Sequence, residues 1–168
     1  MNKCKSFKPE IRKDSKVLIL GSMPGVKSLE QKEYYAHPYN RFWMVMGILC
    51  KKENLHKLPY EEKIQTLLNS GFALWDVIKE CQREGSLDSN IKNEAENNIK
   101  SLLKKNPNIK VICLNGNKAF LAFKKHFAKL LNDTNLIIYK MPSTSPANAK
   151  YGIKELVCEW EKVLEVFK

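Results

Sequence analysis

Nothing in this chain supplies a metal or disulfide framework. Its five cysteines, Cys4, Cys50, Cys81, Cys113 and Cys158, are odd in number, and no two stand close enough for a CxxC pair. That argues against a disulfide scaffold, a zinc knuckle or a locally clustered iron–sulfur site. It leaves five reduced thiols, several acting as small buried hydrophobes. The three histidines, His37, His56 and His126, are too scattered to suggest a metal site, so no metal and no cofactor is expected. No apolar run approaches the roughly 18 residues of a membrane span. The opening stretch, MNKCKSFKPEIRKDSK, has no apolar core of a signal peptide. A cytoplasmic protein with no membrane role is the default expectation. Repeats and low-complexity tracts are absent as well.

Acidic residues are in the minority: 18 against 29 basic ones, for a formal net charge of +11. Such a surface suits a polyanionic partner, because lysines bind phosphate backbones and release counterions. A general lysine richness would give the same balance, so charge alone does not decide. The length of 168 residues bounds the chain to one domain, 1–168, with one core. A hydrophobic share of 43% and a charged share of 28% fit a globular protein. A monomer is expected.

Four short apolar runs read as buried strands: 16–21, 72–77, 109–114 and 136–139. Helical spacing appears between them. Residues 41–50 mix aromatic and aliphatic side chains, and 60–69 form a second helix stopped by Ser70-Gly71. Residues 90–105 read as a polar helix with Ile91, Ala95, Ile99, Leu102 and Leu103 as its apolar stripe, closed by Pro107. Another helix follows Asn115-Gly116-Asn117 and runs through Leu131. The last carries Leu156, Val157, Trp160, Val163, Leu164 and Phe167 on one face. Strands alternating with helices imply a parallel sheet covered on both faces. Ligands of such sheets bind at the carboxyl ends of the strands. The turns at Gly21, Asp76, Asn115 and Ser143 each follow a strand, so four loops are expected to meet on one rim.

Three stretches carry the chemistry. Gly21-Ser22-Met23-Pro24-Gly25 leaves the first strand. Alone it is most simply a strand exit, although its glycines would let backbone N–H groups approach a base or phosphate. Tyr35-Ala36-His37-Pro38-Tyr39-Asn40-Arg41-Phe42-Trp43 is sharper. Asn40 can cap the helix beginning at Arg41; its amide can also accept from a water and donate to another group. Met141-Pro142-Ser143-Thr144-Ser145-Pro146-Ala147-Asn148 offers hydroxyls and turn N–H groups suited to phosphate oxygens. Asp76 and Asn115 each could cap a following helix or reach the pocket.

As a set, these stretches resemble the uracil-DNA glycosylase superfamily, and within it the hypoxanthine (deoxyinosine) DNA glycosylase branch. The likeness runs from Val17 to Trp160, and Trp75-Asp76 through Gly85-Ser86-Leu87-Asp88-Ser89 is also typical of that branch. It implies a three-layer α/β sandwich with a central four-stranded parallel sheet flanked by helices. It implies a monofunctional glycosylase that hydrolyses the N-glycosidic bond of deaminated bases in double- or single-stranded DNA, hypoxanthine first. Uracil or G:T/G:U mismatch excision is the alternative activity, and a non-catalytic nucleic-acid-binding module of the same fold the alternative class.

The resemblance also distributes roles. Gly21, Ser22, Met23, Pro24, Gly25, Tyr35, Asp76 and Asn115 would form the base pocket, with Tyr35 stacking on the flipped base. Phe42 and Trp43 are expected in the core. Asn40 would be catalytic, orienting water near C1′, and it can cap its helix at the same time. Ser143, Thr144 and Ser145 would grip phosphates. Three departures accompany the likeness. Better-known branches place Asp or Asn where Met23 stands, and several place His or Asn where Met141 stands. Several relatives also carry a leucine wedge in the loop that here holds the small Thr144 and Ala147.

Overall fold

The computed structural model describes residues 2–168. Strands β1 (Lys3–Lys5) and β2 (Val17–Gly21) are followed by helices α1 (Val26–Gln31), α2 (Phe42–Leu49) and α3 (Tyr60–Asn69). Then come β3 (Phe72–Asp76), β4 (Ile78–Gln82), β5 (Lys92–Glu96) and α4 (Ile99–Lys105). The chain finishes with β6 (Val111–Asn115), α5 (Asn117–Phe127), β7 (Ile137–Met141) and α6 (Ile153–Trp160).

The main sheet has the order β3-β2-β6-β7, and every pairing in it is parallel. β2, β3 and β6 are buried on both faces, which is why they read as unbroken apolar runs; the edge strand β7 is half-exposed. The two-residue alternation of a strand sorts those side chains cleanly. Val17, Ile19, Phe72, Leu74, Val111 and Cys113 face a core completed by Phe42, Met46, Leu67, Leu156 and Trp160 of α2, α3 and α6. Leu18, Leu20, Ala73, Ile112 and Leu114 face a second core completed by Ile99 of α4 and by Ala119, Phe123 and Phe127. These are the expected layers: helices, a four-stranded parallel sheet, helices.

A second sheet, β1-β4-β5, is antiparallel and was not expected from the sequence. It corrects the reading of 90–105 as one helix. The front half of that stretch is β5, held by the pairs Ile78↔Glu96, Glu80↔Ala95 and Gln82↔Lys92. Asn97 then breaks the strand. Its buried amide donates to the carbonyls of Asp76 (2.8 Å) and Ile78 (3.3 Å). Asn98 opens α4 by accepting from the Ser101 N–H at 3.1 Å, an N-cap. A polar, helix-prone segment has been overruled by ladder pairing, as weak propensities are by tertiary context. The two long C-terminal helices are also shorter than expected. Each tightens into a 3-10 turn, at Ala128–Asn132 and at Glu161–Phe167.

Register brings the strand ends level. Gly21 pairs with Asp76, and Asn115 with Met141. The loops that follow therefore start from one edge of the sheet. Trp160 is fully buried, and its Nε1 donates to the Pro142 carbonyl at 3.1 Å, so α6 fixes the start of the last of those loops.

Candidate active site

Above the strand ends lies a cleft of about 1140 Å³. All four loops meet there, together with Tyr35 and Asn40. Every residue expected in the site from sequence borders it: Gly21 to Gly25, Tyr35, Asn40, Asp76, Asn115 and Ser143 to Ser145.

Tyr35 sits at φ 57°, a left-handed conformation rare for a bulky residue. The turn directs its ring onto Phe42, with centroids 3.8 Å apart and planes 20° from parallel. Its hydroxyl accepts from Asn115 Nδ2 at 3.2 Å. Phe42 and Trp43 are buried, as expected, and Trp43 Nε1 donates to the Tyr34 carbonyl at 2.9 Å. Burial pushes the Tyr35 hydroxyl well above its ordinary pKa, with Asp76 adding to the shift.

Asn40 precedes α2. Its Oδ1 accepts the Phe42 N–H at 2.9 Å, so the helix-opening role is realised. Asn40 also borders the cleft. Arg41, which the sequence did not single out, organises the neighbouring loop. Its backbone N–H donates to the Thr144 carbonyl at 3.0 Å. Its guanidinium donates to the carbonyls of Ser145 (2.9 Å), Asn148 (3.0 Å), Thr144 (3.4 Å) and Tyr151.

Thr144 requires a correction. It was expected to offer its hydroxyl to phosphate, but it is buried and faces Asn115. Asn115 Nδ2 donates to Thr144 Oγ1, and Thr144 N–H donates back to Asn115 Oδ1, both at 3.1 Å. Asn115 likewise caps no helix; the side chain braces Tyr35 against the serine loop. Ser143 and Ser145 remain open. The oxygen of each accepts a backbone N–H, from Ser145 (3.1 Å) and Ala147 (3.2 Å), which leaves each hydroxyl proton free to donate. Gly116, at φ 95°, admits this loop: a Cβ there would meet Ser143 Cβ at 2.9 Å.

On the opposite wall, Met23 packs down into the second core. Ser22 Oγ donates to Asp88 Oδ1 at 2.6 Å, and Ser86 Oγ accepts the Val26 N–H at 2.8 Å. The stretch 85–89 therefore closes over the glycine loop. Arg83 is buried beneath it and donates to the Pro24 carbonyl. Asp76 is 4% exposed, and its Oδ2 has no hydrogen-bond partner among the described residues. Burial first, then the nearby charge of Asp88, pushes its carboxyl up to about 7, with Arg83 pulling the other way. Gly21 makes room for it, since a Cβ at 21 would lie 2.7 Å from Asp76 Oδ1.

Lys140 and Lys150 border the cleft and supply positive charge there; Lys27 and Lys118 also border it but are paired, with Glu30 at 3.8 Å and with Glu94 at 2.9 Å. Leu87, 56% exposed, stands at the same rim. No group of three or more His, Cys, Asp or Glu side chains among the described residues is arranged to hold a metal.

Residues 9–165 match the family model of the uracil DNA glycosylase superfamily. A hypoxanthine DNA glycosylase of Methanosarcina acetivorans is 36% identical over 159 residues, covering 95% of this chain and 96% of that protein. A hypoxanthine DNA glycosylase of Methanosarcina barkeri is 38% identical over 117 residues, covering 70% and 73%. A solution NMR structure of a Methanosarcina acetivorans protein, provisionally named a uracil DNA glycosylase, superposes with a TM-score of 0.83. It is 34% identical and covers 99% of this chain and all of that one. With its parallel sheet, its strand-end cleft and a family match across nearly its whole length, this chain belongs to the uracil DNA glycosylase superfamily.

Proposed function

We propose that this protein excises deaminated bases from DNA, hypoxanthine first, as a monofunctional glycosylase. The observation that carries the reading is the single cleft in which an aromatic face, an asparagine amide and a serine loop converge on the strand ends. Two relatives named hypoxanthine DNA glycosylase support the choice of base.

The target nucleotide leaves the stack at a cost of a few kcal/mol and enters the cleft. Its base lies on the Tyr35 ring, whose other side rests on Phe42. Ser143, Ser145 and the cleft lysines hold the flanking phosphates. Leu87 fills the space the nucleotide vacates, a task the small residues of the serine loop are too short for. Asn40 orients a water towards C1′ as that carbon gains oxocarbenium character, and the phosphate backbone helps to stabilise the cation. No lysine stands among the motif residues as a nucleophile, so no Schiff base forms and no strand cleavage follows. The enzyme acts as a cytoplasmic monomer on double- or single-stranded DNA.

Single-turnover base release from oligonucleotides bearing hypoxanthine, uracil, xanthine or mismatched thymine tests the reading. Hypoxanthine is expected to be released fastest, leaving an intact abasic strand. Tight binding with no release of any base would favour a silent nucleic-acid-binding module instead.

A further inference from the structure

We propose that Asp76 is the general acid of the reaction, delivering its proton to a ring nitrogen of the departing purine. This rests on the glycosylase reading of the cleft and adds the group that neutralises the leaving base.

A purine expelled with the C1′–N bond electrons leaves as an anion unless a proton reaches it. Several groups that line this cleft are poorly placed to give one. Thr144 is buried against Asn115, and Ser22 donates to Asp88. The Tyr35 hydroxyl is made a weaker acid by its surroundings. Met23 and Met141 carry no proton to give. His37 stands at the exposed outer edge, where its Nδ1 accepts the Tyr39 N–H at 3.1 Å. Asp76 combines a place in the cleft lining, burial and a buried oxygen, Oδ2, with no hydrogen-bond partner among the described residues.

The groups around Asp76 favour retention of its proton. Asp88 faces it across the glycine loop and disfavours a second negative charge. Tyr34 and Tyr35 face it from the segment after α1, and both are neutral. Arg83 is the one cation that bears on it; its guanidinium donates to Pro24 and does not offset the burial. The carboxyl therefore titrates near 7, where a general acid works best.

The step balances as follows. The C1′–N bond breaks and its electron pair passes to the base. The Asp76 O–H proton moves to a ring nitrogen, and the base departs neutral. Water adds to C1′ and surrenders a proton to solvent, from which the Asp76 carboxylate is reprotonated.

The test is the pH profile of single-turnover hypoxanthine release for wild type, Asp76→Asn and His37→Asn. Wild type is expected to be fastest below pH about 7 and to lose about tenfold per pH unit above it, because the acid is then ionised. Asp76→Asn keeps the shape of the side chain and is expected to be about a hundredfold slower at pH about 6, with a flat profile. His37→Asn should retain the wild-type inflection. A folded Asp76→Asn protein with the wild-type inflection would overturn the proposal, as would an inflection that vanishes with His37. If Asp76→Asn does not fold, the wild-type and His37→Asn profiles decide on the same terms. Wild type that releases hypoxanthine with a flat profile defeats this proposal alone. Wild type that releases no base at any pH defeats the glycosylase reading as well.

Discussion

Tyr35 and Phe42 form a stacked pair at 3.8 Å whose lower ring is locked in the core and whose upper ring borders the cleft. A base stacked on Tyr35 would thus rest on a ring backed by the buried Phe42. Stacking on an aromatic side chain contributes about 1–3 kcal/mol per base. Tyr35→Ala is therefore expected to weaken excision about 5- to 150-fold, whereas Tyr35→Phe keeps the stack and loses only the Asn115 contact. Unchanged excision by a folded Tyr35→Ala protein would remove the stacking role.

The Asn40 amide oxygen holds the start of α2, and substitution can separate that task from the catalytic one proposed for it. Asn40→Ala should slow single-turnover release by about a hundredfold or more, the scale of one positioned catalytic group. As a cap its loss costs about 1 kcal/mol, which Ser restores. Asn40→Ser is the informative variant: it should be as stable as wild type and as slow as Ala. Near-native release by that protein would leave Asn40 as a cap and nothing more.

Arg41 ties four carbonyls of the serine loop to the start of α2. Its removal leaves the Tyr151 carbonyl without a donor, at about 1–3 kcal/mol where water cannot reach it, and takes the side-chain bonds from the Thr144, Ser145 and Asn148 carbonyls, which keep backbone donors. Arg41→Ala is expected to lower urea-unfolding stability by about 3 kcal/mol, with Arg41→Lys recovering a minority of it, because a point charge cannot reproduce the fork. A change below about 0.5 kcal/mol would show that the loop is held by other means.

The wedge role proposed for Leu87 matters only where a base pair must be opened. Leu87→Ala should slow release from duplex DNA by about tenfold, on the scale of the unstacking cost, and leave single-stranded substrate within about twofold. Equal effects on both substrates would contradict a wedge.

Asp76 also has a stability signature that does not depend on catalysis. Its folded-state pKa of about 7 lies above the ordinary value of 3.8, so the native protein holds a proton that the unfolded chain releases. The stability this confers is complete below about pH 4 and is lost as pH rises to about 7, at one proton's worth, or about tenfold in the folding equilibrium, per pH unit. Asp76→Asn does not titrate and should gain on wild type across that window, then run parallel above it. Urea unfolding at a series of pH values reads the difference directly; parallel curves throughout would mean the carboxyl ionises normally.

The main sheet was legible because β2, β3 and β6 are buried on both faces and β2 and β6 end at turns, at Gly21 and Asn115. β5 was not, because Lys92-Asn93-Glu94-Ala95-Glu96 has the composition of a solvated helix and becomes a strand only through β4. The candidate site residues come from the motifs, and all of them border one cleft. Their bonding was not legible in the sequence. Arg41 meets its acceptors more than a hundred positions along the chain, and whether the Thr144 hydroxyl faces DNA or Asn115 depends on the level of two strand ends. The pressure on Asp76 was hidden for the same reason: Asp88 is near it only because the 85–89 stretch folds back over Ser22.

The fit between Gly21 and Asp76 bears on how such a cleft can be altered. A methyl at position 21 and a carboxyl at position 76 compete for one volume, with 2.7 Å between them if both were present. The order of substitution therefore matters. Shortening position 76 first opens space that alanine at 21 can fill, while alanine first collides with a buried oxygen. Any path that reshapes the floor of this cleft for a different base passes through the aspartate before it reaches the glycine.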